Sequence, residues 1–316
     1  MRTFVVTGGA GFIGSNTVEK LVKRGDKVKV IDNLVAGFES NLESFRDDIE
    51  FINADVNDAS ALASAFKGVD CVFHQAALAS VPLSVEQPLR VNQACVNGTL
   101  NVLDQARRAG VRRVVYSSTS AAYGDRPFAA NRETDVPLTV SPYAVAKLSG
   151  EYYCQAFSHS YDIETVSLRY FNVFGPRQDP NSQYSAVIPL FITRILEGQQ
   201  PIVYGDGSQS RDFTFVGNVV DANLLACDAK NVSGKVFNIA DGCSTTVLDL
   251  ILHLSNALGT PVQPLFQDPR PGDILHSMAD ITAATQQLGF TPNTDFKTGI
   301  LKSIDYYKSL ALAEIG

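Results

Sequence analysis

The 316-residue chain predicts an α/β fold, a doubly wound parallel sheet followed by a smaller C-terminal α/β portion. Three observations predict it: short β-branched runs alternate with amphipathic stretches up to about residue 170, a glycine-rich turn joins the first run to the first helix, and Pro/Gly-rich loops take over further on.

In chain order the strands read as TFVVTG, KVKVID, IEFINAD, CVFHQAA and RRVVYSS. The helices between and after them read as GSNTVEKLVKRG, DASALASAFKG, VNGTLNVLDQARRAG and PYAVAKLSGEYYCQAFSHSYD. Such alternation makes a parallel sheet covered on both faces. Residues 1–176 form the sheet domain and 177–316 mainly the second portion, with RDFTFVGNVVDANLLACDA expected to return a strand and helix to the sheet.

Composition narrows the function classes. A net charge of -7 excludes bulk electrostatic binding to nucleic acid or to an anionic membrane, so neither is expected as a partner. No apolar run approaches bilayer length, and the opening RTFVVTGG reads as strand and turn rather than signal peptide. Five scattered cysteines without a C-x-x-C pair support neither a disulfide framework nor a zinc site, which points to a reducing cytoplasm. His74, His159, His253 and His276 lack metal-ligand spacing and read as structural; no metal is expected.

The stretch VTGGAGFIGS places Gly8, Gly11 and Gly14 between strand and helix, with Phe12 and Ile13 opening the helix. Backbone N–H groups at such a helix start can approach a pyrophosphate that any Cβ would hold off. Asp32, 18 residues after Gly14, ends the second strand. Its carboxylate suits a ribose diol and repels a 2′-phosphate, which selects NAD over NADP. Asn33, Asp55, Val56, Gln75, Ala76, Ala77 and Asn97 complete the expected cofactor side; Asp55 reads as a contact of adenine and Asn97 as reaching back toward the cofactor, or each equally as an ordinary cap or turn residue.

In SPYAVAK, Tyr143 and Lys147 lie one helical turn apart on one face. An ammonium beside a phenol lowers its pKa, which makes a usable general base. Ser117, Ser118 and Thr119 end the preceding strand, and alternation puts Ser117 and Thr119 on the face opposite Ser118.

The order and spacing of VTGGAGFIGS, YSSTSAAYGD and SPYAVAK closely resemble the extended short-chain dehydrogenase/reductase superfamily over essentially the whole chain. LRYFNVFGPRQDPN, VYGDGSQSRDFTFVGNVV and PRPGDILHSMAD resemble its nucleotide-sugar 4-epimerases, particularly the branch acting on UDP-N-acetylhexosamines. The resemblance implies a Rossmann-type domain with bound NAD, a UDP-sugar substrate, and a homodimer formed through helices near 88–109 and 141–158. It makes Tyr143 the base, Lys147 its partner and a ligand of the nicotinamide ribose, and Thr119 the catalytic hydroxyl, with Ser118 as second candidate. Ser117 and Tyr170 fall on the cofactor side. Arg211 and Arg270 become clamps on the diphosphate, Asn172 a contact of phosphate or sugar, and Asp273 a contact of the uridine ribose. Tyr204 and the Ala186–Val187 backbone would hold uracil, while Ser277 becomes the gate of a sugar pocket near Ser80 and Val81.

Relatives that dehydrate or decarboxylate nucleotide sugars need an acid just after the catalytic hydroxyl. Here that stretch is Ser120-Ala121-Ala122, so C4 epimerisation is expected. A small Ser277 favours UDP-GlcNAc/UDP-GalNAc, with UDP-Glc/UDP-Gal as a second activity. The competing enzyme is a UDP-glucuronate 4-epimerase or another nucleotide-sugar-modifying enzyme. A non-catalytic NAD(H)-sensing protein is disfavoured because the chain keeps both Tyr143 and Lys147.

Overall fold

The computed structural model describes residues 1–126, 130–180, 186–269 and 275–313. The first half runs β1 (Thr3–Thr7), α1 (Phe12–Lys23), β2 (Lys27–Asp32), β3 (Ile49–Asn53), α2 (Ala59–Ala65), β4 (Cys71–His74), α3 (Val81–Glu86), α4 (Pro88–Asn92) and α5 (Gly98–Arg108). It continues through β5 (Arg113–Thr119), α6 (Pro142–Ser160), β6 (Glu164–Tyr170) and β7 (Val173–Phe174). The second half has α7 (Val187–Leu196), β8 (Ile202–Tyr204), β9 (Ser210–Arg211), β10 (Thr214–Phe215), α8 (Val216–Asp228) and β11 (Lys235–Ile239). It ends with β12 (Thr245–Thr246), α9 (Val247–Leu258), β13 (Leu265–Gln267), α10 (Thr282–Leu288) and α11 (Phe296–Ala313).

Local chemistry sets several boundaries. Asp58 caps α2 by accepting from the N–H groups of Ser60 and Ala61, and Ser141 caps α6 by accepting from Ala144, with Pro142 preset for the first turn. Between α4 and α5 the helix widens into a π turn over Gln93–Asn97, a feature often found beside functional sites.

Seven parallel strands form one sheet in the order β3-β2-β1-β4-β5-β6-β11. The order reverses between β1 and β4, so the crevice at their carboxyl ends is the natural ligand position. Period-two alternation divides the core: Phe4 and Val6 pack on one face, with residues of α1 and α8, and Val5 on the other, with residues of α2, α5 and α6. A third cluster, with Phe174, Phe191, Phe213 and Leu250, builds the second lobe, and Phe12 and Ile13 pack against it from the start of α1.

Helix α8 packs on α1, but the strand that joins the sheet is KVFNI, as β11, rather than RDFTF. Phe213 and Phe215 are buried in the second-lobe cluster, which leaves β10 only a two-residue pairing with β7.

Candidate active site

The glycine turn is closed by contact. Gly8 has φ +69°, and a Cβ there would stand 2.7 Å from the Ala76 backbone. A Cβ on Gly14 would stand 2.0 Å from the Gly8 carbonyl oxygen. Asp32 is 7% exposed and accepts from the backbone N–H of Ala10 at 2.9 Å and of Leu34 at 2.8 Å. Burial pushes its carboxyl up, and those two donors oppose the shift.

A polar chain runs across the exposed rim. Asn33 donates to Asp55 at 2.7 Å, Asp55 accepts from Asn57, Asn57 accepts from Gln93, and Asn97 donates to Gln93 at 2.7 Å. Burial alone would raise the Asp55 carboxyl, but hydrogen bonds from Asn57 and Asn33 outweigh it and hold the group below the usual range. Val56 lies against Gly98, where a Cβ would stand 2.6 Å from its Cγ2. The Gln75 N–H donates to the Thr7 carbonyl, its Nε2 donates to Thr17, and its buried Oε1 has no partner among the described residues. Ala76 donates to the Thr7 hydroxyl, and Ala77 packs into the small cluster that also holds Tyr143. A cradle that any Cβ would fill, a carboxylate at the end of β2 and an orphaned amide oxygen together fit an NAD.

Helix α6 approaches β5 closely because Gly150 faces Tyr116, where a Cβ would meet the hydroxyl at 2.2 Å. That hydroxyl donates to the Lys147 carbonyl at 3.1 Å. Tyr143 and the Thr119 side chain are brought together, close enough for Thr119 to favour the ionised phenol. Lys147 is 2% exposed, with its Nζ 4.4 Å from the centroid of the Tyr116 ring.

Burial pushes the Tyr143 phenol up, Cys95 adds to the rise, and the Thr119 hydrogen bond opposes it. Burial pushes the Lys147 ammonium down, against the pull of Cys95, Cys154 and Glu151. Desolvation thus penalises the charged form of both groups.

Strand alternation separates the three hydroxyls. Ser117 donates to the Tyr170 hydroxyl at 3.1 Å, and Tyr170 donates to Asn223 at 2.9 Å within the core; burial pushes the Tyr170 phenol up to about 12. Ser118, on the other face, donates to Glu151, whose carboxylate is also gripped by Arg169. The Ser118 hydroxyl is thus engaged by Glu151, whereas Thr119 lies near Tyr143. Reading the sequence missed Glu151; its one available signal was its place four residues after Lys147, on the same helical stripe.

In the second lobe, Arg211 on β9 donates through Nη1 to the carbonyls of Ser210 and Leu275 at 3.0 and 3.1 Å. The half-buried Ser277 donates its N–H to the Ser210 carbonyl at 3.1 Å. Asn172, at φ +31°, donates to the Asp212 carbonyl at 3.2 Å. Arg211, Asn172 and Ser277 are thus held around residues 210–212. Ala186 and Val187 open α7, which has no side-chain cap, and the Tyr204 carbonyl accepts from Gln209. Ser80 caps α3 by accepting from Leu83, and Val81 is exposed. Arg270 and Asp273 lie outside the described residues. His74 is buried between Thr7 and Thr99, and no group of metal-ligating side chains occurs among the described residues.

Residues 4–240 match the model of the NAD dependent epimerase/dehydratase family. The chain is 42% identical, with a TM-score of 0.93, to the UDP-N-acetylglucosamine 4-epimerase of Methanobrevibacter ruminantium solved with UDP-N-acetylmuramic acid, over 98% of this chain and 99% of that one. It is 30% identical, with a TM-score of 0.90, to the UDP-glucuronic acid 4-epimerase of Bacillus cereus solved with UDP-glucuronic acid and NAD, over the same shares. The UDP-glucose 4-epimerase of Mycolicibacterium smegmatis is 37% identical over 314 residues, 98% of this chain and 99% of that one. The chain therefore belongs to the NAD-dependent epimerase/dehydratase family, within the extended short-chain dehydrogenases/reductases.

Proposed function

We propose that this NAD-dependent UDP-sugar 4-epimerase interconverts UDP-GlcNAc and UDP-GalNAc, with UDP-Glc and UDP-Gal as a second pair. The observation that carries the sugar choice is Ser277, a small half-buried residue whose backbone is tied to Ser210 beside Arg211. A serine leaves room for a 2-acetamido group where a larger side chain would fill it. The likeness to the Methanobrevibacter ruminantium enzyme supports the same choice.

Gly8, Gly11, Gly14 and Asp32 would hold NAD, which when bound accepts a hydride from the sugar C4 and returns it. Tyr143 takes the proton of the C4 hydroxyl and later restores it, with Thr119 orienting the phenol through their hydrogen bond. Because burial raises the phenol, the Lys147 ammonium, one helical turn along, would supply the positive charge that favours its ionised form. Reversal of configuration requires the 4-keto sugar to present its other face while UDP stays anchored. Arg211 and Arg270 are the guanidinium groups suited to the diphosphate. Ser120-Ala121-Ala122 form a short 3-10 turn after Thr119 and offer no carboxylate to carry a proton for elimination.

Residues 177–316 would mainly serve UDP, and 1–176 the cofactor and the chemistry. Val85, Leu89, Val145 and Tyr152 are exposed on α3, α4 and α6, which pack on one another, and apolar side chains there would suit a homodimer. Free cysteines, four of the five buried, agree with a reducing cytoplasm, and no helix among the described residues is long and apolar enough to cross a membrane.

Proton NMR of the anomeric signals tests the reading, with the purified protein incubated separately with UDP-GlcNAc, UDP-Glc and UDP-glucuronate. We expect a UDP-GalNAc signal to grow fastest. Fastest turnover of UDP-glucuronate would move the assignment to a uronic-acid epimerase, and silence on all three, repeated with NAD added, would overturn it.

A further inference from the structure

Asp212 carries a carboxylate with 0% exposure, and among the described residues its hydrogen-bond donors are backbone N–H groups. One oxygen accepts from Asp241 at 2.9 Å, the other from Ala279 at 3.1 Å, and Gly242 adds a third donor. Both oxygens of an ionised carboxylate are acceptors, so the group matches a ring of N–H donors. Among the described residues no cation pairs with this carboxylate, and burying a charge on backbone donors alone is costly for the fold.

Three segments meet at this carboxylate. One is the strand that carries Arg211. The second is the Asp241–Gly242 turn. The third is the 275–279 strap, which carries Ser277 and lies along Ser210 through the Ser210 N–H to Leu275 carbonyl and Ser277 N–H to Ser210 carbonyl bonds. The Asp212 backbone carbonyl also holds the Asn172 side chain.

We propose that Asp212 is a positioning residue for the sugar nucleotide: its carboxylate clasps the strap of Ser277 and the Asp241–Gly242 turn onto the Arg211 strand, setting the sugar gate against the diphosphate grip. This rests on the UDP-sugar reading of Arg211 and Ser277. The ionised form fits the clasp best, because protonation weakens one oxygen as an acceptor and adds an O–H to a site whose partners are donors. Burial pushes the carboxyl up to about 7, the backbone donors oppose that rise, and Asp241 adds to it. The clasp therefore loosens as pH falls through neutrality. The neighbouring titratable and charged groups are Asp241 and Cys243 on the turn, His276 on the strap, bonded to Ser210, and Arg211 on the strand.

The experiment is calorimetric titration of UDP-GlcNAc into NAD-loaded protein at pH 6 and pH 8, an interval in which the diphosphate of the ligand does not titrate. For the unmodified protein Kd should be about fivefold higher at pH 6. Asp212→Asn should bind about tenfold more weakly at pH 8, show little further change at pH 6, and retain its NAD. His276→Asn should keep the pH dependence. A pH-independent Kd, its loss in His276→Asn, or normal binding by Asp212→Asn would each overturn the clasp. If Asp212→Asn does not fold, the pH series of the other two proteins decides. An unmodified protein that binds neither UDP-GlcNAc nor UDP-Glc at pH 8 overturns the functional reading itself, and the clasp with it.

Discussion

Arg169 lies across both carboxylate oxygens of Glu151, at 2.8 and 2.7 Å, with the two side chains 4% and 3% exposed. Ser118 donates to the same carboxylate, so one buried pair joins β5, α6 and β6. Glu151 follows Lys147 by one turn, and the pair therefore sets the register of the helix that carries Tyr143 against the strand end that carries Thr119. Glu151→Gln would leave a guanidinium buried without its counter-charge and should cost about 3–5 kcal/mol, read by denaturant unfolding. A loss below about 1 kcal/mol would show that the pair does not hold the helix.

Tyr143→Phe should lower turnover at least about 10²-fold while copurified NAD stays constant, because it removes a proton acceptor and little volume. Thr119→Val removes the hydrogen bond that lowers the Tyr143 pKa. The rising limb of the pH–rate profile should then move to higher pH, since the phenolate loses a donor that favours it. A limb that stays in place would separate Thr119 from the titration of the base.

Ser277→Tyr should suppress turnover of UDP-GlcNAc more than that of UDP-Glc. Competition assays followed by NMR would measure the ratio. An equal loss on both substrates would remove Ser277 from the gate.

Gly14→Ala should strip the protein of NAD, because the new Cβ would stand 2.0 Å from the Gly8 carbonyl oxygen, inside the turn. The NAD released from denatured protein, quantified against chain concentration, checks this. Full NAD occupancy in the variant would place the cofactor elsewhere.

His74 contributes to acid sensitivity. Its Nε2 and Nδ1 are 2.9 and 2.8 Å from the hydroxyls of Thr99 and Thr7, and burial, followed by the Lys147 charge, lowers its pKa to about 3. The unfolded chain takes up this proton near the ordinary histidine pKa and the folded one does not, so stability present above that pH is lost as pH falls toward 3. The loss from this group reaches on the order of 5 kcal/mol. His74→Gln should flatten the acid limb of a stability–pH curve, and an unchanged limb would assign it to other groups.

Local signals determined much of this protein. Strand and helix periodicity located β1 to β5, α1, α2 and α6, because a half-buried element writes its own repeat into consecutive residues. The glycine spacing and the Tyr143–Lys147 step were equally legible, since a tight turn and a helical face each need only neighbours in sequence. Tertiary structure decided what depends on partners far along the chain. The KVFNI strand took the sheet edge because Phe213 and Phe215 are buried in the second lobe. Ser118 was separated from Thr119 by Glu151, 33 residues away. Burial, which pushes the Tyr143 phenol up, is a property of the whole fold that the pairing of two residues on one helix does not report. Asp212 likewise looks ordinary beside Arg211 until Ala279, 67 residues later, donates to it in the core.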